Sequence, residues 1–176
     1  MRFKDAGGNE FPNWKEKKLE EGCESLSSGK DKPDSSNMYP VYGSMGVIGY
    51  NSMFSYNCKA ILIARVGANA GTINIAIGEY GVTDNTLIAL LKPEMNINFV
   101  YYLLIYKNLN KLIFGSGQPL ITAGQLKSLS MSFPSLSEQT KIAHFLSAID
   151  KKIINEKKFL QQYENQKKYL LSTLFI

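Results

Sequence analysis

Forty-one residues follow Ser135 without a glycine or a proline, and such a stretch is readily accommodated as one continuous helix. At ~1.5 Å per residue it makes a rod of about 60 Å. Leu146, Ile153, Leu160, Lys167 and Leu174 share one heptad position, and Ile149, Glu156, Tyr163 and Leu170 share the other. Seven of these nine are apolar or aromatic. A stripe of that kind needs another helix to cover it, so Leu146, Ile149, Ile153, Leu160, Tyr163, Leu170 and Leu174 are the expected dimer face. The start is sharp. Pro134 ends the preceding segment, and Ser135 with Glu138 matches a capping box in which each side chain satisfies the other's free amide. Lysines 151, 152, 157, 158, 167 and 168 read as a solvated face of the rod, or as contacts to DNA or an acidic surface. His144 reads as a surface or interface residue.

The preceding 134 residues have a different texture. Residues 1–14 are polar and rich in Gly and Asn; Trp14 opens a short amphipathic piece to Leu19, and 25–37 has the composition of an exposed loop. The middle is strand-like. Ala60–Ala64 is a short apolar run suited to a buried strand, residues 72–77 alternate polar with apolar, and Thr86 to Leu91 stops before Pro93. Glycines at 43, 46, 49, 67, 71, 78 and 81 punctuate this region. Residues 97–114 switch to a helical pattern, apolar nearly all round and therefore expected to be mostly buried, with Asn96 or Asn98 as N-cap. Ser130–Phe133 is the last strand. The expected architecture is α/β (α+β): a globular body of short, Gly-punctuated strands with a buried helix over 1–134, then one long coiled-coil-type helix over 135–176.

Charge and side-chain inventory narrow the chemistry. The net charge of +5 is spread along the chain, with 13 basic and 11 acidic residues before position 135 and seven and four after it. That mild excess suits a polyanionic partner bound weakly by one copy alone. Cys23 and Cys58 form no CxxC pair and His144 is the sole histidine, so no metal is expected. Two isolated cysteines fit reduced thiols in a cytoplasm, and Met1-Arg2-Phe3-Lys4 leads into polar sequence rather than a signal peptide. No membrane segment, Walker sequence or N/D-P-P-Y-type methyltransferase tetrapeptide occurs. A Ser or Cys nucleophile would need a histidine base, and the one histidine sits on the rod. The expectation is a non-catalytic chain with no cofactor.

Four stretches occur in a telling order: FPNW at Phe11–Trp14; YGSMGVIGY at Tyr42–Tyr50; the pair ARVGANAG at Ala64–Gly71 and GSGQP at Gly115–Pro119; and EQTKIAHFLSAIDKKI at Glu138–Ile153. With them the chain resembles one half of the specificity (S) subunit of a type I restriction-modification enzyme: a target-recognition domain followed by one of the family's conserved spacer helices. The resemblance covers nearly the whole chain. It implies a DNA reader that directs methyltransferase (M) subunits, and the restriction/translocase (R) subunit as well, to a bipartite double-stranded site. Methyl transfer and cleavage would belong to those partners. Complete subunits of the family usually carry two such units in tandem; this sequence has one, which leaves a natural half-subunit or a piece of a longer protein. Either is expected to form a homodimer through antiparallel C-terminal helices. A second reading remains open, in which the helix is the function and the body binds no DNA specifically.

Within that frame, candidate DNA-binding residues fall in the Gly-rich stretches. Tyr42 and Ser44 would set hydroxyls against phosphates, or the turn packs inside the domain with Val47 and Ile48 buried. Arg65, at a strand end before Gly67 and Asn69, suits a phosphate clamp or a bidentate guanine contact; the alternative is an internal salt bridge with Asp84. Asn69 is a secondary candidate. Ser116 and Gln118 sit in a loop stiffened by Pro119, near DNA or bonded to their own backbone. Lys30 and Lys32, in the irregular 29–37 stretch, would touch phosphates or stay solvated.

Overall fold

The structure is a computed structural model that describes residues 2–113 and 119–175. Ten strands and three α-helices succeed one another: β1 (Lys15–Lys18), β2 (Cys23–Ser28), β3 (Tyr39–Gly43), β4 (Gly46–Asn51), β5 (Tyr56–Asn57), β6 (Ala60–Ala64), β7 (Ile73–Ala76), β8 (Glu79–Val82), β9 (Thr86–Leu91), α1 (Ile97–Lys107), α2 (Ala123–Lys127), β10 (Ser130–Phe133) and α3 (Leu136–Leu174). The α/β architecture expected from the sequence is the one observed.

A four-stranded antiparallel sheet in the order β2-β9-β6-β7 forms the centre. Alternation along β6 explains why that strand is apolar throughout. Ile61 and Ile63 face one core with Phe99, Val100 and Leu104 of α1; Ala60 and Leu62 face a second with Tyr80, Val82 and Ile88. Both faces of β6 are covered, and all five of its side chains are buried and apolar. The second core is closed by a sheet in the order β4-β3-β8-β5, in which β3 runs parallel to β8. β1 pairs with β10 and ties the start of the chain to the strand that precedes the rod.

The Trp14–Leu19 piece folds as β1, paired with β10, with its four side chains exposed and Leu19 fully buried at its end. Two local expectations are revised. α1 is shorter than residues 97–114, because Asn108 turns left-handed at φ 52° and ends it after Lys107. Nor is α1 buried all round. Phe99, Val100 and Leu104 are enclosed, whereas Ile105 and Tyr106 face outward, the latter 80% exposed. Its cap is Asn96, whose Oδ1 accepts from the Phe99 amide at 3.1 Å.

α3 begins as expected at Ser135, whose hydroxyl accepts from the Glu138 amide. The return half of the capping box is not made. The Glu138 side chain is buried and pairs with Arg2, Nε to Oε1 at 3.3 Å. Gln139, also buried, accepts from the Asn96 amide at 2.9 Å and donates to the Pro134 carbonyl. Tyr102 of α1 donates to Asp150 at 2.6 Å, and Phe3 sets its ring edge against Phe145. The root of the helix is thus clamped from several sides, while residues 148–175 are exposed throughout.

Candidate nucleic-acid interface

The two sheets bring four connections to one end of the body. β3 and β4 are joined by Ser44 and Met45, a two-residue hairpin that needs the left-handed Gly46 (φ 100°). β8 runs parallel to β3 and therefore delivers the Thr83–Asn85 turn to the same end, where the Thr83 amide donates to the Tyr42 carbonyl at 2.9 Å. β9 leaves that turn antiparallel to β6, so the end of β6 lies beside it: the Arg65 amide donates to the Asn85 carbonyl at 3.0 Å. Residues 119–121 close the group, with the Gly67 amide on the Pro119 carbonyl, the Ile121 amide on the Arg65 carbonyl and a bridge between Val66 and Leu120.

Tyr42, Ser44, Arg65 and Asn69, far apart in sequence, converge here. Ser44 is half-exposed at the hairpin tip. Tyr42 turns its ring inward, edge-on to Tyr80 with centroids 5.6 Å apart, and Tyr56 stacks on the other side of Tyr80. Burial pushes the Tyr80 hydroxyl far above the ordinary phenol range, so it stays protonated. This tyrosine stack backs the hairpin. Asn69 is half-buried in the single turn Gly67–Asn69.

Arg65 is the most constrained of the group. Its backbone is held on both sides, and its Nη1 reaches the Asp84 carbonyl oxygen at 3.4 Å. The expected alternative of a salt bridge to the Asp84 carboxylate is not formed: the contact is to backbone. Its Nε is buried without a hydrogen-bond partner among the described residues, as are the hydroxyls of Thr83 and Thr86 beside it. A guanidinium held beside this turn, with no carboxylate partner among the described residues, keeps its charge available to an anion.

The remaining candidates separate. The Gly29 amide donates to Thr86, which keeps Lys30 near the turns, and Lys30 is exposed. Lys32 is carried away: its carbonyl accepts from Asn51, which pairs with Tyr39 at the far end of β3. Ser116 and Gln118 lie outside the described residues. Sequence reasoning missed two things. Residues 29–34 are not a loose loop but a strap across the second sheet, latched by Asp31, which accepts from the Val82 amide at 2.7 Å and the Ser55 hydroxyl. The YGSMGVIGY stretch is an exposed hairpin, so Val47 and Ile48 are 46% and 52% exposed rather than buried. Two apolar neighbours in sequence on a two-sided edge strand carry no signal that would have revealed this.

Cys23, at the start of β2, is driven by burial to a pKa of about 11 and remains a thiol. None of the described helices is long and apolar enough to cross a membrane.

Comparison with known proteins bears on the fold and the family. The EcoprrI type I restriction enzyme specificity subunit of Escherichia coli is 30% identical over 120 residues, which are 68% of this chain and 30% of that protein. Among solved structures, the S subunit of a type I restriction-modification system from M. genitalium superposes with a TM-score of 0.69 at 22% identity, covering 88% of this chain and 43% of that one. The HsdS subunit from Thermoanaerobacter tengcongensis gives 0.64 at 19%, covering 88% and 41%. The chain therefore spans less than half the length of each of these proteins. A family model described as the type I restriction modification DNA specificity domain matches residues 12–165, a span that takes in all ten strands, the turn cluster and most of α3, and the chain belongs to this family.

Proposed function

We propose that the chain reads DNA sequence as a specificity subunit or half-subunit of a type I restriction-modification enzyme. Residues 1–134 form the reading head and residues 135–176 the helix that spaces and pairs it. Two heads held by antiparallel helices engage a bipartite site and direct M and R subunits there; the chain itself performs no covalent chemistry. The observation that carries this reading is Arg65, whose backbone is bonded to Asn85 and Ile121 and whose guanidinium meets the Asp84 carbonyl with no carboxylate partner among the described residues, where four connections converge. Ser44, Asn69 and Lys30 flank it, and Tyr42 acts chiefly as the inward anchor of the hairpin. Ser116 and Gln118 belong to the segment that leads into Pro119, which is bonded to Gly67 next to Arg65. The clamped root of α3 supports the spacing role, since a ruler must not swivel at its base.

Selection from random duplexes, with and without the cognate methyltransferase subunit, tests the proposal. The expected result is a two-part consensus with fixed spacing. Arg65→Ala is expected to weaken binding by about 1–3 kcal/mol in a chain that stays folded. Failure to bind duplex at any salt, under both conditions, would leave helix-mediated assembly as the function.

A further inference from the structure

Pairing of α3 with a second copy, as proposed above, does not by itself say which residues meet. We infer that two copies pair antiparallel in one register: Ile149 opposite Leu174, Ile153 opposite Leu170, Glu156 opposite Lys167, and Leu160 opposite Tyr163 of the second copy. Every residue in this set is exposed in the single chain, and each facing pair combines the two heptad positions, as antiparallel helices require.

The choice rests on the charges in and beside the seam. Glu156 and Lys167 are the two seam positions that are neither apolar nor aromatic, and this register sets each against the other, twice by symmetry. In the same layers Lys157 flanks Glu164 of the second copy, again twice. Each competing arrangement meets an obstacle. A parallel pair puts Glu156 on Glu156 and Lys167 on Lys167. Sliding the antiparallel partner one heptad toward the head faces Lys157 with itself, brings Asp150 beside Glu164, and sets Glu156 and Lys167 against Leu160 and Ile149. Sliding it a heptad further would bring Leu170 opposite Gln139, which is buried in the head. Sliding it the other way faces Glu164 with itself and shortens the overlap. Like charges held together in a desolvated seam, or one left unpaired there, oppose association, so sequence selects the register that the apolar stripe alone would leave free to slip.

Sedimentation equilibrium of the full chain and two variants tests this. Glu156→Lys sets lysine against lysine, and Lys167→Glu sets glutamate against glutamate. Each variant alone is expected to self-associate about tenfold or more weakly than wild type. Mixed in equal amounts they restore opposite signs at both sites, so the mixture is expected to regain wild-type affinity as a heterodimer. Both positions are solvent-exposed on the rod, away from the head, and rescue on mixing shows directly that both variants are folded. A dimeric wild type whose single variants dimerise unchanged overturns the register while leaving the pairing intact. Single variants unchanged and a mixture tighter than wild type would mean parallel helices. A wild-type chain that stays monomeric throughout the concentration series overturns the pairing itself and gives the seam to a helix of different sequence.

Discussion

Glu138 stands where the head grips the rod. Its carboxylate is enclosed, and it meets Arg2 through Nε at 3.3 Å and Nη2 at 3.4 Å; the Arg2 Nη2 also donates to the Pro12 carbonyl. Arg2 remains about a third exposed, so solvent screens part of the attraction. Removing the arginine nevertheless leaves a buried carboxylate without its partner. Arg2→Ala is expected to destabilise the chain by about 1–3 kcal/mol in urea denaturation, and adding Glu138→Gln to recover part of that loss. A double variant no more stable than Arg2→Ala would show that the pair is not the source. The same residue marks what local pattern conveys. Ser135 was legible as a cap because its role is set within four residues. The Glu138 partner lies 136 positions away, and no local spacing encodes it. Arg65 shows the same division. A strand-end arginine before glycines was legible as a candidate, but that its guanidinium meets the Asp84 backbone rather than the carboxylate depends on how two turns fold against each other.

At the scale of elements, β6, β7, β9 and β10 were readable in place, because alternation or an apolar run bounded by Gly and Pro identifies a strand locally. The order in which they pair was not, since hydrogen bonding between β2 and β9 joins residues as distant as Cys23 and Leu91. The β3–β4 hairpin was hidden by its own glycines. Gly46 supplies the turn, while Gly43 and Gly49 leave room for neighbours, Gly49 for Pro33 of the crossing strap. Gly29, the hinge of that strap, is the tightest point: a Cβ there would lie 2.0 Å from the Val82 carbonyl oxygen and 2.8 Å from that of Thr83. Both are backbone atoms and cannot rotate away. Gly29→Ala is expected to cost about 2 kcal/mol or more, and because the displaced strand leads to the Thr83–Asn85 turn, it should weaken DNA binding together with stability. Gly124→Ala is the control. It sits within α2 with only the Thr122 hydroxyl at 3.9 Å, and helix propensity predicts a change of less than about 1 kcal/mol, in the stabilising direction. Equal melting temperatures for the Gly29 and Gly124 variants would remove the strap from the fold's support.

On the scale of the whole molecule, the proposed division of labour between head and rod makes their failures separable. The first turns of α3 are part of the head, with Glu138, Gln139 and Ala143 buried. Tyr102 still reaches Asp150, but residues 148–175 of the helix are all exposed. Its apolar stripe, roughly 40 Å long at ~1.5 Å per residue, is a liability in water unless a second helix covers it. Leu160 lies at the middle of that stripe, and in the antiparallel pair proposed above it would flank the two-fold axis, so that one substitution would count twice. Leu160→Lys is expected to reduce the chain to a monomer by light scattering while the head unfolds at an unchanged urea midpoint. DNA binding should change in kind as well as degree. With one head per complex, fewer phosphates are neutralised, so the slope of log affinity against log salt should fall to about half, and selected duplexes should retain one half-site without a fixed distance to a second. Retention of a two-part consensus by a monomeric Leu160→Lys variant would mean that spacing is set by the partner subunits rather than by this helix.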